Sequence, residues 1–224
     1  MCAFRNALCV FAYRFLTSSP SMLKSVSCHF LVGGCGSLLR VISGKLKGKK
    51  LFSIKGLSLR PTSDRVREAI FDILQGSIDG SKVLDLFAGT GAMGIEALSR
   101  GAVFAVFVES SHDSLRALQR NLAESHLQGV AEVLSREVQS GIRFLASRGE
   151  KFDLIFLDPP YGKGLTRMTI EALAESPIAG PETLIVAEHA PEEGVEEILD
   201  LERVDLRKYG GTRVSFFRKA IKNS

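Results

Sequence analysis

Beyond Cys35 this chain contains no cysteine. All four (Cys2, Cys9, Cys28 and Cys35) fall before residue 40. They form no CxxC pair and no metal-ligand spacing, so neither a disulfide framework nor a metal site is expected, and a reducing cytoplasmic setting fits. No uncharged apolar run approaches the ~20 residues that a membrane span needs, so no membrane partner is expected. Prolines number only 7, and there is neither a low-complexity tract nor an internal repeat. What is present is ordinary for a globular protein, 45% apolar and 24% charged residues. A length of 224 residues suffices for one domain with a full core and a small appendage.

The net charge of +4 conceals a segregation. From Arg40 to Arg67 there are nine Lys/Arg against one acid, Asp64. Residues 1–39 add Arg5, Arg14 and Lys24, which leaves the chain from Glu68 onward net acidic. A basic segment beside an acidic body is the electrostatic footprint of a polyanion binder. A solvated charged hairpin would have the same composition, but the contrast between the segments favours nucleic acid.

Residues 1–39 do not resemble the rest. Ala7–Ala12 is apolar with Arg5 ahead of it, but Arg14 interrupts the run and no small-residue cleavage site follows. We expect a poorly ordered extension there, with Leu39 a candidate start of the natural chain. Residues 40–80 read as a basic β-hairpin and a cap helix. Arg40–Leu59 alternates apolar and polar residues around Gly44, Gly48 and Gly56, so that Lys45, Lys47, Lys49 and Lys50 project from short antiparallel strands. Thr62 or Ser63 then caps a helix carrying Val66, Ala69/Ile70 and Ile73/Leu74, which Gly76 ends.

From 81 to 219 strands and helices alternate. Strands are expected at Lys82–Leu86, Val103–Val108, Ala131–Leu134, Asp153–Leu157 and Thr183–Glu188. Helices are expected near Ala92–Arg100, Asp113–Ser125, Gly141–Ser147, Thr166–Ala174 and, short and acidic, Glu192–Leu199. Leu201–Tyr209, Gly210-Gly211 and Arg213–Arg218 read as a hairpin. The pattern is α/β: a mostly parallel doubly wound sheet with one antiparallel strand added late.

Two stretches carry chemistry. In Val83-Leu-Asp-Leu-Phe-Ala-Gly-Thr-Gly-Ala-Met-Gly94 a buried strand runs into a glycine turn and a helix. The spacing Gly89-x-Gly91-x-x-Gly94, with Glu109 about 20 residues on, matches a dinucleotide fingerprint. Alone it admits a nicotinamide dehydrogenase or a binder of another adenosine cofactor. Asp85, inside the strand, tilts the choice: a carboxylate there repels a pyrophosphate and suits a cation such as the amino group of S-adenosylmethionine. Its bland role is to tie down the loop.

The second stretch, Phe152-Asp-Leu-Ile-Phe-Leu-Asp-Pro-Pro-Tyr161, decides the chemistry. Two prolines cannot continue a sheet ladder, and they fix the backbone just past the strand's carboxyl end, where open α/β sheets bind ligands. The turn presents the Asp158 carboxylate, the Pro159 carbonyl and the Tyr161 ring. The first two accept the two hydrogens of an exocyclic amine, freeing the nitrogen lone pair from the base's ring. Tyr161 offers a stacking face worth ~1–3 kcal/mol. Chance Asp-Pro-Pro sequences occur, but one at a strand end downstream of a glycine cofactor loop is harder to dismiss.

These stretches, DLFAGTGAMGIEA, FVES and FLDPPYG, resemble the Rossmann-like class I S-adenosylmethionine-dependent amino-methyltransferases. RVISGKLKGKKL, LRPTSDRVREAIFDIL and KYGGTRVSFFR are similar to the bacterial RsmD family, the 16S rRNA (guanine(966)-N(2))-methyltransferases. The resemblance runs from about Arg40 to Arg218. It implies S-adenosylmethionine as cofactor, 16S rRNA or a partly assembled small subunit as partner, and a guanine exocyclic amine as target. It implies that Asp85 and the backbone of Ala88, Gly89, Thr90 and Gly91 hold the methionine part. Glu109 would take the ribose hydroxyls, with Ser110 near the adenine. Glu137, with Val138 beside it, stands where the family's adenine-side acid is usually Asp. Asp158, Pro159 and Tyr161 would hold the target amine, and Arg60, Thr62, Asp64 and Arg65 match a cap near the substrate. A monomer is expected. The rival readings are an adenine-N6 methyltransferase on DNA or RNA, a dehydrogenase, and a non-catalytic ribosome-assembly binder.

Overall fold

The computed structural model describes residues 39–54, 62–160, 162, 164–195, 198 and 200–220; the side chains of Thr62 and Ser63 are not among what it describes. The readings made for residues 1–38, for 55–61 with Arg60, and for Tyr161 lie outside the described residues.

The elements are α1 (Thr62–Ile73), β1 (Lys82–Leu86), α2 (Ala92–Ser99), β2 (Phe104–Glu109), α3 (His112–Glu124), β3 (Ala131–Ser135), α4 (Val138–Ser147), β4 (Phe152–Leu157), α5 (Leu165–Glu175), β5 (Ala179–His189), β6 (Leu201–Tyr209) and β7 (Thr212–Lys219). Seven strands form one sheet in the order β3-β2-β1-β4-β5-β7-β6. β3, β2, β1, β4 and β5 are mutually parallel, and β7 is antiparallel to both β5 and β6. β7 is thus the one strand running against the others, as the Gly-Gly hairpin requires.

Both sheet faces are covered, which is why β1, β2 and β4 read as near-continuous apolar runs rather than alternating ones. Val83, Phe107 and Phe156 point into one core with Ile70 and Phe71 of α1, Ile95 and Leu98 of α2, and Leu118 of α3. Leu84, Val106 and Ile155 point into the other with Ile142 and Leu145 of α4 and Ile170 and Leu173 of α5. The chain reverses direction across the sheet between β1 and β4: β1 leads to β2 and β3 on one side, and β4 leads to β5 on the other. A crevice outside the carboxyl ends of those two strands is where such sheets take ligands.

Three expectations are corrected. The basic segment is not a pair of strands among its described residues. It is a tight reversal closed by a single antiparallel bridge between Arg40 and Lys50. The N–H groups of Val41 and Leu51 donate across the reversal to the Lys49 and Leu39 carbonyls, and helix α2 holds the rest of the turn. The fully buried Glu96 carboxylate accepts from the N–H groups of Ile42 (2.7 Å) and Ser43 (3.0 Å) and from Arg100 Nε (2.8 Å). Ser99 Oγ accepts from the Leu46 N–H and donates to the Ser43 carbonyl.

Second, the short acidic helix at Glu192–Leu199 is a turn and loop in its described residues. Glu193 there accepts from the Gly162 N–H (3.1 Å) and the Thr166 hydroxyl (2.5 Å), and Arg167 donates to the Gly194 carbonyl. These side-chain contacts to α5 take the place of helical hydrogen bonds.

Third, α4 begins at Val138, not Gly141. Gly141 looked like a helix start, but it lies inside the helix, where a Cβ would sit 2.8 Å from Val108 of β2. β5 likewise starts earlier than expected, at Ala179; Gly180 and Pro181 fall within a register shift against β4.

The mounting of the basic loop makes a prediction. Gly44 has φ +81°, and a Cβ there would lie 1.9 Å from the Ser99 carbonyl oxygen. Gly44→Ala meets both a left-handed backbone and a backbone clash, and should cost about 2–4 kcal/mol. A urea midpoint unchanged from wild type would show that the loop is not seated on α2.

Candidate active site

The parallel register places the site. Leu86 pairs with both Val108 of β2 and Leu157 of β4, and Glu109 pairs with Ser135 of β3. Phe87–Gly91, Glu109–Ser110, Glu137–Val138 and Asp158–Pro160 therefore all leave the sheet along one edge. Adjacent parallel strands lie ~4.8 Å apart, so Asp158 emerges directly beside the glycine turn.

The turn itself is strained and tightly packed. Phe87, where β1 ends, has φ +60°, rare for an aromatic residue and costing of order 1–2 kcal/mol. Gly91 (φ +85°) and Gly94 are dictated by packing: a Cβ at Gly91 would strike Leu118 at 2.4 Å, and one at Gly94 would strike Phe107 at 2.3 Å. Gly89 differs. With φ +54°, its Cβ position meets nothing closer than the Phe87 carbonyl oxygen at 4.0 Å, so its open side can face a ligand. Helix α2 starts at Gly91 with no side-chain cap, leaving its N-terminal dipole available to the same edge.

Two carboxylates brace this turn. Asp85, 3% exposed, accepts from the Gly94 N–H at 2.9 Å. Burial pushes its pKa up to about 7, the nearby Glu109 charge pushes the same way, and the Gly94 hydrogen bond opposes them. It ties down the first turn of α2, and the desolvated charge would gain from a cation. Glu109 accepts from the N–H groups of Gly89 (2.8 Å), Ser110 (2.8 Å) and Ser111 (2.7 Å). A carboxylate offers about four lone-pair sites, so these three leave room for a ligand hydroxyl. Ser110 is exposed. Glu137 is the residue before α4; it is exposed and makes no capping bond, while Val138 behind it is buried. Asp158 is exposed at the end of β4, Pro159 is buried and Pro160 exposed.

The predicted RNA-facing residues are not all gathered there. Lys45 donates its N–H to the Ser99 carbonyl at the far end of α2, about 12 Å along the helix from Gly91. Lys47 and Lys50 are exposed, and Lys49 reaches the Glu124 carbonyl at the end of α3 (2.6 Å). Arg65 is exposed on α1, which opens at Thr62. Lys45 and Lys49 are thus seated against the C-terminal ends of α2 and α3. Among the described residues no cluster of His, Cys, Asp and Glu could hold a metal, and no helix is long and apolar enough to cross a membrane.

Sequence reasoning missed Asn121 and Glu96. Asn121, 1% exposed on α3, donates to the Thr90 carbonyl of the glycine turn (2.9 Å) and to the Phe52 carbonyl (3.1 Å). Glu96 left one signal, an acid in the otherwise apolar AMGIEALS. Asn121 left none, because its partners are 31 and 69 residues away.

Known proteins are similar to this chain. A profile of the family described as "Conserved hypothetical protein 95" matches residues 39–218. The chain is 37% identical, over 81% of its length and 99% of the other's, to the "Putative rRNA methyltransferase YlbH" of Bacillus subtilis (strain 168). It is 38% identical to the "Ribosomal RNA small subunit methyltransferase D" of Escherichia coli (strain K12), over 71% of this chain and 79% of that one. A solved structure, "Putative methyltransferase yhhF from Escherichia coli", superposes with a TM-score of 0.73 at 33% identity, covering 83% of this chain and 99% of that one. The strained strand-to-glycine turn, the Asp-Pro-Pro strand end beside it and these likenesses lead to one assignment: the chain belongs to the conserved hypothetical protein 95 family, among the α/β methyltransferases of the RsmD and YlbH group.

Proposed function

We propose that this protein transfers a methyl group from S-adenosylmethionine to the exocyclic N2 of a guanine in 16S ribosomal RNA, in the cytoplasm. The observation that carries the reading is the emergence of Asp158-Pro159-Pro160 beside the glycine turn, fixed by the pairing of Leu86 with Leu157. The names of the similar rRNA methyltransferases support RNA as substrate. They also favour the methyl-transfer reading of the glycine turn over the dehydrogenase one.

The residues present suit the cofactor. The open side of Gly89, a desolvated carboxylate at Asp85 and a hydroxyl-accepting carboxylate at Glu109 answer its backbone contact, its ammonium and its ribose. Glu137 and Val138 would border the adenine. When bound, S-adenosylmethionine supplies an electrophilic methyl on a sulfonium, already a good donor. Alignment and water exclusion are then what the protein adds. Asp158 and the Pro159 carbonyl accept the two amine hydrogens, which localises the lone pair on nitrogen. Those bonds strengthen as positive charge develops on that nitrogen, so they act mainly on the transition state. Asp158 then takes the proton lost from the methylated nitrogen and passes it to water, leaving a neutral N-methylamine. The base leaves its stack to reach this edge, and Lys45, Lys47, Lys49, Lys50, Arg60, Thr62 and Arg65 contribute phosphate contacts that position the RNA without reading sequence.

Incubating the protein with labelled cofactor and small-subunit RNA, naked or in partly assembled particles, followed by nucleoside mass analysis, tests this. N2-methylguanine at one position is expected. N6-methyladenine would transfer the reading to the adenine alternative, and no incorporation into either substrate would end it.

A further inference from the structure

Among the described large apolar side chains left exposed, Phe52 is the one aromatic, at 47% exposure. It lies within the basic segment, just after Lys49 and Lys50. The Arg120 guanidinium lies 4.0 Å from its ring centroid. Arg120 is held in turn by Glu124 (2.7 Å), whose carbonyl receives Lys49.

The exposure is not that of a loose loop. The Phe52 N–H donates to Asn121 Oδ1 at 2.6 Å, and Asn121 Nδ2 donates back to the Phe52 carbonyl. The same amide nitrogen holds the Thr90 carbonyl. One buried amide therefore clamps the exposed ring's backbone to the glycine turn of the active site. A ring needed only for packing would be turned inward, as Phe71 and Phe107 are. This one is held outward, on a rigid mount, among cations.

We infer that Phe52 and Arg120 form a stacking platform for an unpaired RNA base flanking the methylated nucleotide. The inference rests on the RNA-methyltransferase reading and adds to it a contact with a neighbouring base. Unstacked RNA bases settle on aromatic rings and on guanidinium planes, and the interaction tolerates any base because each has a π-face. Lys49 and Lys50 supply the phosphate attraction beside it. The clamp through Asn121 sets the distance between the stacked base and the cofactor turn, so the platform orients the strand as well as binding it.

The chain has no tryptophan, so Phe52→Trp places a single indole at the platform. Its emission should be quenched by a small-subunit RNA fragment, and left unquenched by heparin at concentrations that displace that RNA. Phe52→Leu keeps the apolar contact with Arg120 but removes the ring face. It should raise KM for RNA about tenfold, with cofactor affinity and melting temperature unchanged. RNA that binds Phe52→Trp without quenching it, or a Phe52→Leu enzyme with wild-type KM, overturns the platform and leaves the methyltransferase reading standing. A wild-type protein that neither binds nor methylates the RNA, naked or in partly assembled particles, overturns both.

Discussion

Asp158→Ala lowers kcat for methyl transfer by about 10²- to 10³-fold, the loss typical of removing one preorganised group aimed at developing charge. RNA affinity stays within about twofold, because phosphate contacts elsewhere dominate it. Asp158→Asn falls between, because its amide oxygen still accepts a hydrogen bond but carries no charge. Single-turnover methylation with saturating cofactor separates the chemical step from binding. The same variant divides the enzyme from a ribosome-assembly binder: a strain carrying Asp158→Ala that keeps a wild-type phenotype and full methylation would falsify the catalytic role.

The mostly parallel α/β sheet with its late antiparallel strand was legible in the sequence because it depends on local signals. β1 and β4 are long apolar runs ending in residues that cannot continue a ladder, Phe87-Ala-Gly89 and Asp158-Pro-Pro160. The Gly210-Gly211 turn likewise announced the hairpin that gives β7 its direction. What failed to show depends on contacts between distant residues. Gly141 reads as a boundary in one dimension and is a packing glycine against Val108 in three. The basic segment reads as a hairpin because its alternation is real, but beyond the bonds across its own reversal its turn is held by Glu96 and Ser99 of α2, more than 50 residues on. The lysines were recognised as a cationic group, yet nothing local placed Lys45 at the far end of α2. The role of Asp85 was legible as a choice between ligand and brace, and its burial gives both a physical basis.

Asp85→Asn should make the cofactor-free protein more stable and a poorer binder. The Asp85 carboxyl titrates near pH 7 in the folded protein against 3.8 as its ordinary value. Between those values the folded state binds the extra proton, so the stability that Asp85 contributes is fully present below about pH 4 and is lost as pH rises through 7. At pH 8 a bare charge is buried beside Gly94, at a cost of a few kcal/mol. Asparagine keeps an oxygen for the Gly94 N–H and never ionises. The variant's melting temperature should therefore exceed wild type by roughly 5 °C or more at pH 8 and approach it at pH 5. A cationic ligand reverses the balance, because an ammonium beside Asp85 favours the charged carboxylate. Cofactor binding at pH 6 should then release close to one proton in wild type and none in Asp85→Asn, read by calorimetry in buffers of different ionisation heat. Affinity should fall about 10- to 100-fold in the variant, as expected for losing a hydrogen bond to a charged group. Unchanged affinity with no proton release in either protein would leave Asp85 as a brace for α2 alone. Instability at pH 8 is, on this view, the consequence of keeping a desolvated carboxylate where the cofactor's positive charge will neutralise it.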